Sequence, residues 1–145
     1  TINYNGYKLD YENGLWLTMI NGVQFSFLYS PDKIEKRNLN VKDITGYNSI
    51  PLYIFSDNGE ARQEVVRNFY NTASKIQDAC LSEQECKNKD WPIKNCSNNF
   101  IIIKESNNSY IKQEDNCVYI TGNYENLTLF ADEFVYHTLK IIEYR

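Results

Sequence analysis

The first thirty residues alternate between apolar and polar positions, and the alternation breaks at three evenly spaced points. Asn-Gly occurs at Asn5-Gly6, Asn13-Gly14 and Asn21-Gly22, each pair eight residues after the one before. Asn-Gly is the strongest short hairpin signal, because both central positions of a type I′ turn need positive φ. With two-residue loops the cross-strand partners follow by arithmetic. The third turn opposes Ile20 to Val23, Thr18 to Phe25 and Trp16 to Phe27. The second opposes Tyr11 to Trp16, Leu9 to Thr18 and Tyr7 to Ile20, and the first opposes Tyr4 to Tyr7 and Ile2 to Leu9. Directly opposed side chains share a sheet face. One face, expected to be buried, carries Ile2, Tyr4, Tyr7, Leu9, Tyr11, Trp16, Ile20, Val23, Phe25 and Phe27. The other receives Lys8, Asp10, Glu12, Gln24 and Ser26 around an apolar patch of Leu15, Leu17, Met19 and Leu28. A one-residue slip at any turn would scatter the apolar set over both faces. Three turns that agree on one face therefore specify an antiparallel meander.

After Pro31 the polar stretch from Asp32 to Asn48 reads as a short helix or loop, and Ile50 to Ser56 as a strand. Asp57-Asn58-Gly59-Glu60 opens a helix whose Val65, Val66, Phe69, Ala73, Ile76 and Cys80 fall at helical spacing. A cysteine-bearing loop from Leu81 to Asn99 holds Trp91 and Pro92. Three further strands, Phe100 to Glu105, Ser109 to Gln113 and Cys117 to Thr121, read as a second meander. A closing helix from about Tyr124 to Glu143 carries Leu127, Phe130, Ala131, Phe134, Thr138 and Ile141 on its inner stripe. The fold class expected is α+β: two antiparallel β-meanders plus one further strand, with two amphipathic helices packed on one sheet face. Without a linker or full repeat, and with 145 residues, the chain reads as a single α+β domain over residues 1–145.

Four cysteines stand at Cys80, Cys86, Cys96 and Cys117. The spacing lacks the C-x2-C knuckles of zinc sites, so disulfides are favoured over zinc or free thiols. The first and third strands of the second meander start at the same end of the sheet. That brings Cys96 near Cys117 and leaves Cys80 and Cys86 to bracket a local loop; the other two connectivities stay open. Disulfides imply an oxidising space outside the cytosol. The sequons at Asn95, Asn107 and Asn126 point the same way and are candidate glycosylation sites. With 19 Asn in the chain such triplets also arise by chance.

Charge and chemistry narrow the function classes. A net charge of −4 and a pI near 5.0 argue against a nucleic-acid partner. The longest apolar runs are four residues, as in Phe100 to Ile103, far short of a membrane span. The chain starts at Thr1, which leaves room for a leader or anchor trimmed from the native product. His137 is the only histidine, so every His-based triad or zinc shell would depend on it. Its place late in a helix suggests a partly exposed structural residue. Glu83 with Glu85, Glu114 with Asp115, and Asp132 with Glu133 could pair as general acid and base, but their settings read as solvated. Asp57-Asn58-Gly59-Glu60 lacks the alternating ligands of a calcium loop and is explained by helix capping. No catalytic residue, metal site or cofactor is assigned. The 12 Tyr suit half-wet strands, and as an alternative could stack on sugars.

Several blocks carry a resemblance. Tyr4-Asn5-Gly6-Tyr7, Gly14-Leu15-Trp16-Leu17-Thr18 and Gln24-Phe25-Ser26-Phe27-Leu28-Tyr29-Ser30-Pro31 form one group. Lys104-Glu105-Ser106-Asn107 and Gln113-Glu114-Asp115-Asn116-Cys117-Val118-Tyr119-Ile120-Thr121-Gly122 form another, ahead of the closing helix. Together they resemble an uncharacterised archaeal family of single-pass membrane-anchored extracytoplasmic proteins from small-genome lineages. The resemblance implies an envelope-facing domain tethered by a missing N-terminal anchor, and no activity comes with it.

The expected function is therefore a non-catalytic, extracytoplasmic domain at the cell surface, acting through a protein partner or self-association. Leu15, Leu17, Met19 and Leu28 are the candidate contact patch, since an exposed apolar patch marks an interaction site. Alternatively, the Asp32 to Asn48 segment covers them. A glycan-binding module using surface tyrosines is the alternative function. An enzyme would need Asp/Glu chemistry in a cleft.

Overall fold

The computed structural model describes residues 1–144 and builds the opening meander in the register its turns dictate. Strands β1 (Ile2–Tyr4), β2 (Tyr7–Glu12), β3 (Leu15–Ile20) and β4 (Val23–Phe27) pair in order, all antiparallel. Asn5, Asn13 and Asn21 have φ of 50 to 52°, and their glycines 79 to 85°, as type I′ turns require. Ile2 faces Leu9, Tyr4 faces Tyr7, Tyr11 faces Trp16, and Trp16, Thr18 and Ile20 face Phe27, Phe25 and Val23. The β2–β3 ladder covers only Asp10, Tyr11 and Glu12 against Leu17, Trp16 and Leu15, so the expected Leu9–Thr18 and Tyr7–Ile20 pairs fall outside it. The β1–β2 hairpin departs from the sheet there. Its tip is held by the C-terminal segment, with Tyr4 Oη 3.1 Å from Tyr144 Oη and Asn5 Nδ2 donating to the Ile141 carbonyl.

The second half is a mixed five-stranded sheet with two helices. It comprises β5 (Pro51–Ser56), α1 (Gly59–Phe69), β6 (Lys75–Asp78), β7 (Asn99–Glu105), β8 (Tyr110–Glu114), β9 (Cys117–Gly122) and α2 (Leu127–Thr138). The strand order is β6-β5-β7-β9-β8. The class is α+β as read from the sequence, but several local assignments differ, among them the closing helix, which ends at Thr138 rather than near Glu143. The first helix ends at Phe69 rather than running to Cys80, and Ile76 lies in a strand parallel to β5. Asn71, Thr72 and Ser74 compete for backbone hydrogen bonds and favour turns over helix. The amides of Thr72 and Ala73 both close on the Phe69 carbonyl. The product is a β5-α1-β6 crossover, braced by Arg62 on Asp78 at 2.9 and 3.0 Å.

The last three strands do not run as a meander. β9 lies between β7 and β8, parallel to the first and antiparallel to the second. Residues Asn99 to Ile103 of β7 are all buried, and a strand apolar on both faces is stable only between two neighbours and under two layers. β8 alternates exposed and covered positions and suits the edge.

Both helices pack on each other and on one face of this sheet, α1 against β5 and α2 against β7 and β9. The buried face of the first sheet closes over the helices from the other side: α1 packs on β4, and Phe27 stacks on Tyr136 at 3.8 Å. Leu9, Phe25 and Phe27 share one core with Ile54, Ile101, Val118 and Phe134. The segment from Ile34 to Ile44, extended between two 3-10 turns (Pro31–Lys33 and Ile44–Tyr47), straps across α2 and adds Ile34, Leu39 and Val41 to that core. Thus every residue of α2 except Leu129 is buried. The strap runs toward the five-stranded sheet, where the Lys42 amide donates to Gln113 and Lys42 Nζ to Asn99 and Asn116.

Candidate functional site

The far face of the five-stranded sheet has no helix and is covered by the cysteine loop. Leu81, Cys86, Trp91 and Cys96 pack on Tyr53, Phe55, Phe100 and Ile102. Cys80 is bonded to Cys86 and Cys96 to Cys117, with Cα atoms 5.4 and 4.9 Å apart. The second bridge rests on adjacency, since Cys117 stands opposite Phe100 in the parallel β7–β9 pair. Two disulfides indicate folding in an oxidising environment. Among the described residues no helix is long and apolar enough to cross a membrane.

Of the apolar patch, Leu15, Leu17 and Met19 line up on the outer face of β3. Met19 is 61% exposed. Leu28 is not part of that row: it lies past the end of β4, half-buried, with its amide donating to Glu64. Ser26 between them is buried under Arg67, which donates to its hydroxyl. Tyr11, expected on the covered face, is 57% exposed at the rim, where it packs on Trp16 with ring centroids 5.0 Å apart. Beside Leu17 and Met19 the divergence of β2 from β3 opens a cleft of about 440 Å³. Lys8, Asp10 and Glu12 line its β2 side and Gln24 its far side. The Asp32 to Asn48 segment crosses α2 on its way to the second sheet, as its Arg37 and Lys42 bonds record.

A second cavity of about 440 Å³ lies in the cysteine loop, lined by Glu83, Gln84, Cys86, Lys89, Trp91 and Ile93. The loop is fixed by the Cys80–Cys86 bridge and by reciprocal backbone bonds, Cys80 N–H to the Pro92 carbonyl and Lys94 N–H to that of Cys80. Trp91 was legible as the one large aromatic in a polar loop, but the cavity was not. The exposed tyrosines, Tyr11, Tyr70, Tyr110 and Tyr124, sit on separate elements and form no stripe.

The three sequons differ in access. Asn95 and Asn107 are exposed, and Asn95 Oδ1 accepts from both the amide and hydroxyl of Ser97. Asn126 is half-buried, and the hydroxyl residue of its sequon, Thr128, is buried in α2. Asn58 caps α1 by accepting the Ala61 amide at 2.9 Å, while Asp57 accepts from Glu105 and Lys87. Among the described residues, no group of three or more His, Cys, Asp or Glu is placed to hold a metal ion.

The titratable groups of α2 depart from their sequence reading. Asp132 and Glu133, read as solvated, are buried, and so is His137, read as partly exposed. Helical spacing identifies the inner stripe, but no local signal marks the strap and first sheet that cover the remaining faces. Glu133 is held by Arg37 in a two-pronged contact of 2.7 and 3.0 Å. Burial nevertheless keeps its carboxyl above the usual range, against the pull of Arg37. Burial, with Arg37 nearby, pushes His137 down to about 4, and its Nε2 has no hydrogen-bond partner. Asp132 faces Glu64 of α1, also buried, and neither lines any of the cavities described above. Glu83, Glu85, Glu114 and Asp115 are exposed. Lys42 is held by amide oxygens of Asn99 and Asn116 and lies 4.7 Å from the Tyr47 ring, and burial lowers its pKa.

Comparison with protein-family models, with curated proteins and with solved structures finds no match, so the archaeal resemblance rests on its sequence blocks alone.

Proposed function

We propose that this is a non-catalytic extracytoplasmic domain of the cell envelope that acts through protein contacts made by the outer face of its first sheet. One observation carries the reading: Leu17 and the 61%-exposed Met19 line a charged-walled cleft of about 440 Å³ on the outer face of the first sheet, with Leu15 next in the same row. Apolar side chains beside a concavity with a polar rim are the usual anatomy of a contact site. The two disulfides support a location outside the cytosol. Burial of Asp132 and Glu133 away from the two larger cavities supports a non-catalytic role for that pair, while His137 borders a smaller cavity of about 160 Å³ beside Leu39, Lys140 and Tyr144.

The test is a photo-crosslinking residue at Met19 in cells that make the protein natively. The reading expects a discrete protein adduct from that position, lost when Leu17→Asp is added, and none from a crosslinker at Tyr124. Equal labelling from both positions, or no protein adduct, would sink it. A second reading, glycan binding, is favoured by Trp91 in its disulfide-fixed cavity rather than by the tyrosines. An aromatic face ringed by Glu83, Gln84 and Lys89 suits a sugar ring and its hydroxyls. Envelope polysaccharide binding lost in Trp91→Ala and kept in Met19→Asp would select it.

A further inference from the structure

Glu64 and Asp132 meet between the facing helices, with exposures of 1% and 0%. Glu64 Oε2 accepts from Arg67 Nη2 at 2.7 Å, and its Oε1 accepts the Leu28 amide at 3.1 Å. Asp132 Oδ2 accepts the Tyr29 amide at 3.0 Å, and Tyr136 Oη donates to the Tyr29 carbonyl at 2.6 Å. The two acids therefore grip consecutive amides where the chain leaves β4. Asp132 Oδ1 is buried with no N–H or hydroxyl to receive, and the carboxyl of Glu64 on the facing helix holds the amide next to the one Asp132 holds. Two carboxylates have acceptors only, so a bond between them requires a proton.

We propose that Glu64 and Asp132 form a proton-dependent latch, in which one shared proton joins the carboxyls that fasten the exit of β4 to both helices. Loss of that proton as pH rises loosens the first sheet from the helical layer. The charges around the pair fit this role. From α1 come Glu64 and Arg67; from α2, Asp132 and Tyr136, with Glu133 already engaged by Arg37; from the segment after β4, Tyr29 and Asp32. Of the charges that act on Asp132, Arg67 is the positive one, and it is bound to Glu64. Burial first, then the bond to Glu64 and its charge, hold Asp132 well above the ordinary carboxylate range. The folded chain keeps a proton there that the unfolded chain releases near pH ~4. The contribution to stability is thus full below that pH and falls as pH rises toward the folded-state value.

The experiment joins carboxyl-carbon NMR titration of the wild-type domain to amide exchange at Leu28 and Tyr29. Expected is an Asp132 carboxyl that titrates far above its unfolded value. Protection of both amides, corrected for intrinsic base catalysis, should drop about tenfold or more as pH rises from the unfolded-chain value of ~4 through the Asp132 midpoint that the titration finds. Asp132→Asn supplies a permanent donor to Glu64 and should hold that protection constant. An Asp132 that titrates in the ordinary carboxylate range overturns the proposal. So does an undiminished pH response in Asp132→Asn. Should the variant not fold, the wild-type titration alone decides.

Discussion

The side-chain amide of Asn68 stands in for a neighbouring strand at the open edge of β4: its Oδ1 accepts the Ser26 N–H and its Nδ2 donates to the Ser26 carbonyl, both at 2.8 Å. An unpaired strand edge is a template for aggregation, and here a helix residue occupies it. In Asn68→Ala the Ser26 carbonyl keeps a contact with Arg67 at 3.3 Å, but its buried N–H loses its acceptor. The expected cost is about 1 to 3 kcal/mol, read as a lower urea midpoint with unchanged slope. A neutral result would show that water reaches this edge.

The bridges give a direct chemical prediction. The intact mass should rise by about four protons on reduction, and Cys96→Ser/Cys117→Ser should destabilise more than Cys80→Ser/Cys86→Ser. The loops closed span separations of 21 and 6 residues. Loop entropy assigns them about 3.5 and 2.5 kcal/mol, as upper figures. Failure of the mass to change would remove the argument for an oxidising compartment as well.

Arg37 neutralises Glu133, which is 1% exposed, and lies 5.4 Å from the Phe130 ring. Arg37→Leu leaves a buried carboxyl without its cation. Arg37 is itself 27% exposed, so a cost of about 2 to 3 kcal/mol near neutral pH is expected, below the range for fully buried pairs. The sign with pH follows from the direction at Glu133, whose carboxyl already sits above its usual range and rises further without Arg37. The variant should regain stability as pH falls and Glu133 takes up a proton. Urea midpoints at about pH 4.5 and pH 7.5 check this; a deficit that is equal at both would show that lost packing, not charge, is responsible.

How far this fold was legible depends on the range over which its causes act. Asn5, Asn13 and Asn21 set their register through their own turns, so every pair in the ladder followed from local sequence. The Cys96–Cys117 bridge followed from strand polarity, even though β9 inserts beside β7 instead of extending a meander. What was missed depends on neighbours distant in sequence. Asp132 and His137 look like solvent-side helix residues until the exit of β4 at Tyr29 meets the first and the strap at Leu39 and Val41 flanks the second. The cleft beside Met19 opens where β2 leaves β3, and the hairpin tip beyond it is held by Tyr144 and Ile141, contacts across 140 and 136 residues that no periodicity encodes.

The join between α2 and β9 has no spare room. A Cβ built on Gly122 would lie 2.5 Å from Phe130 Cε2 and 3.2 Å from Ser109 Oγ. Gly122→Ala should therefore cost about 1 to 3 kcal/mol through overpacking. Phe130→Leu shortens the obstructing ring, so the double variant should be less destabilised than the sum of the singles. Strict additivity in thermal unfolding would place the strain elsewhere.

His137 opposes the acid pair in its response to pH. It is buried beside Tyr144, with ring centroids 6.5 Å apart, and is pushed down to about 4 by burial and then by Arg37. The unfolded histidine titrates near pH ~6.5, so between the two values the unfolded state binds the proton that the folded state refuses. Stability from this residue is complete above about pH 6.5 and is lost as pH falls toward 4. Asp132 slopes the other way over part of that window, and the wild-type profile should be shallow where they overlap. Replacing His137 by Leu removes the acid-side loss and leaves the fall toward high pH, so stability in the variant should decline steadily from about pH 4.5 upward. Replacing Asp132 by Asn should expose the reverse, a profile that rises with pH up to about 6.5. Thermal midpoints across that range for the two variants measure both limbs. An imidazole that titrates near its unfolded value in the folded domain, followed by NMR, would refute the assignment of the acid limb to His137.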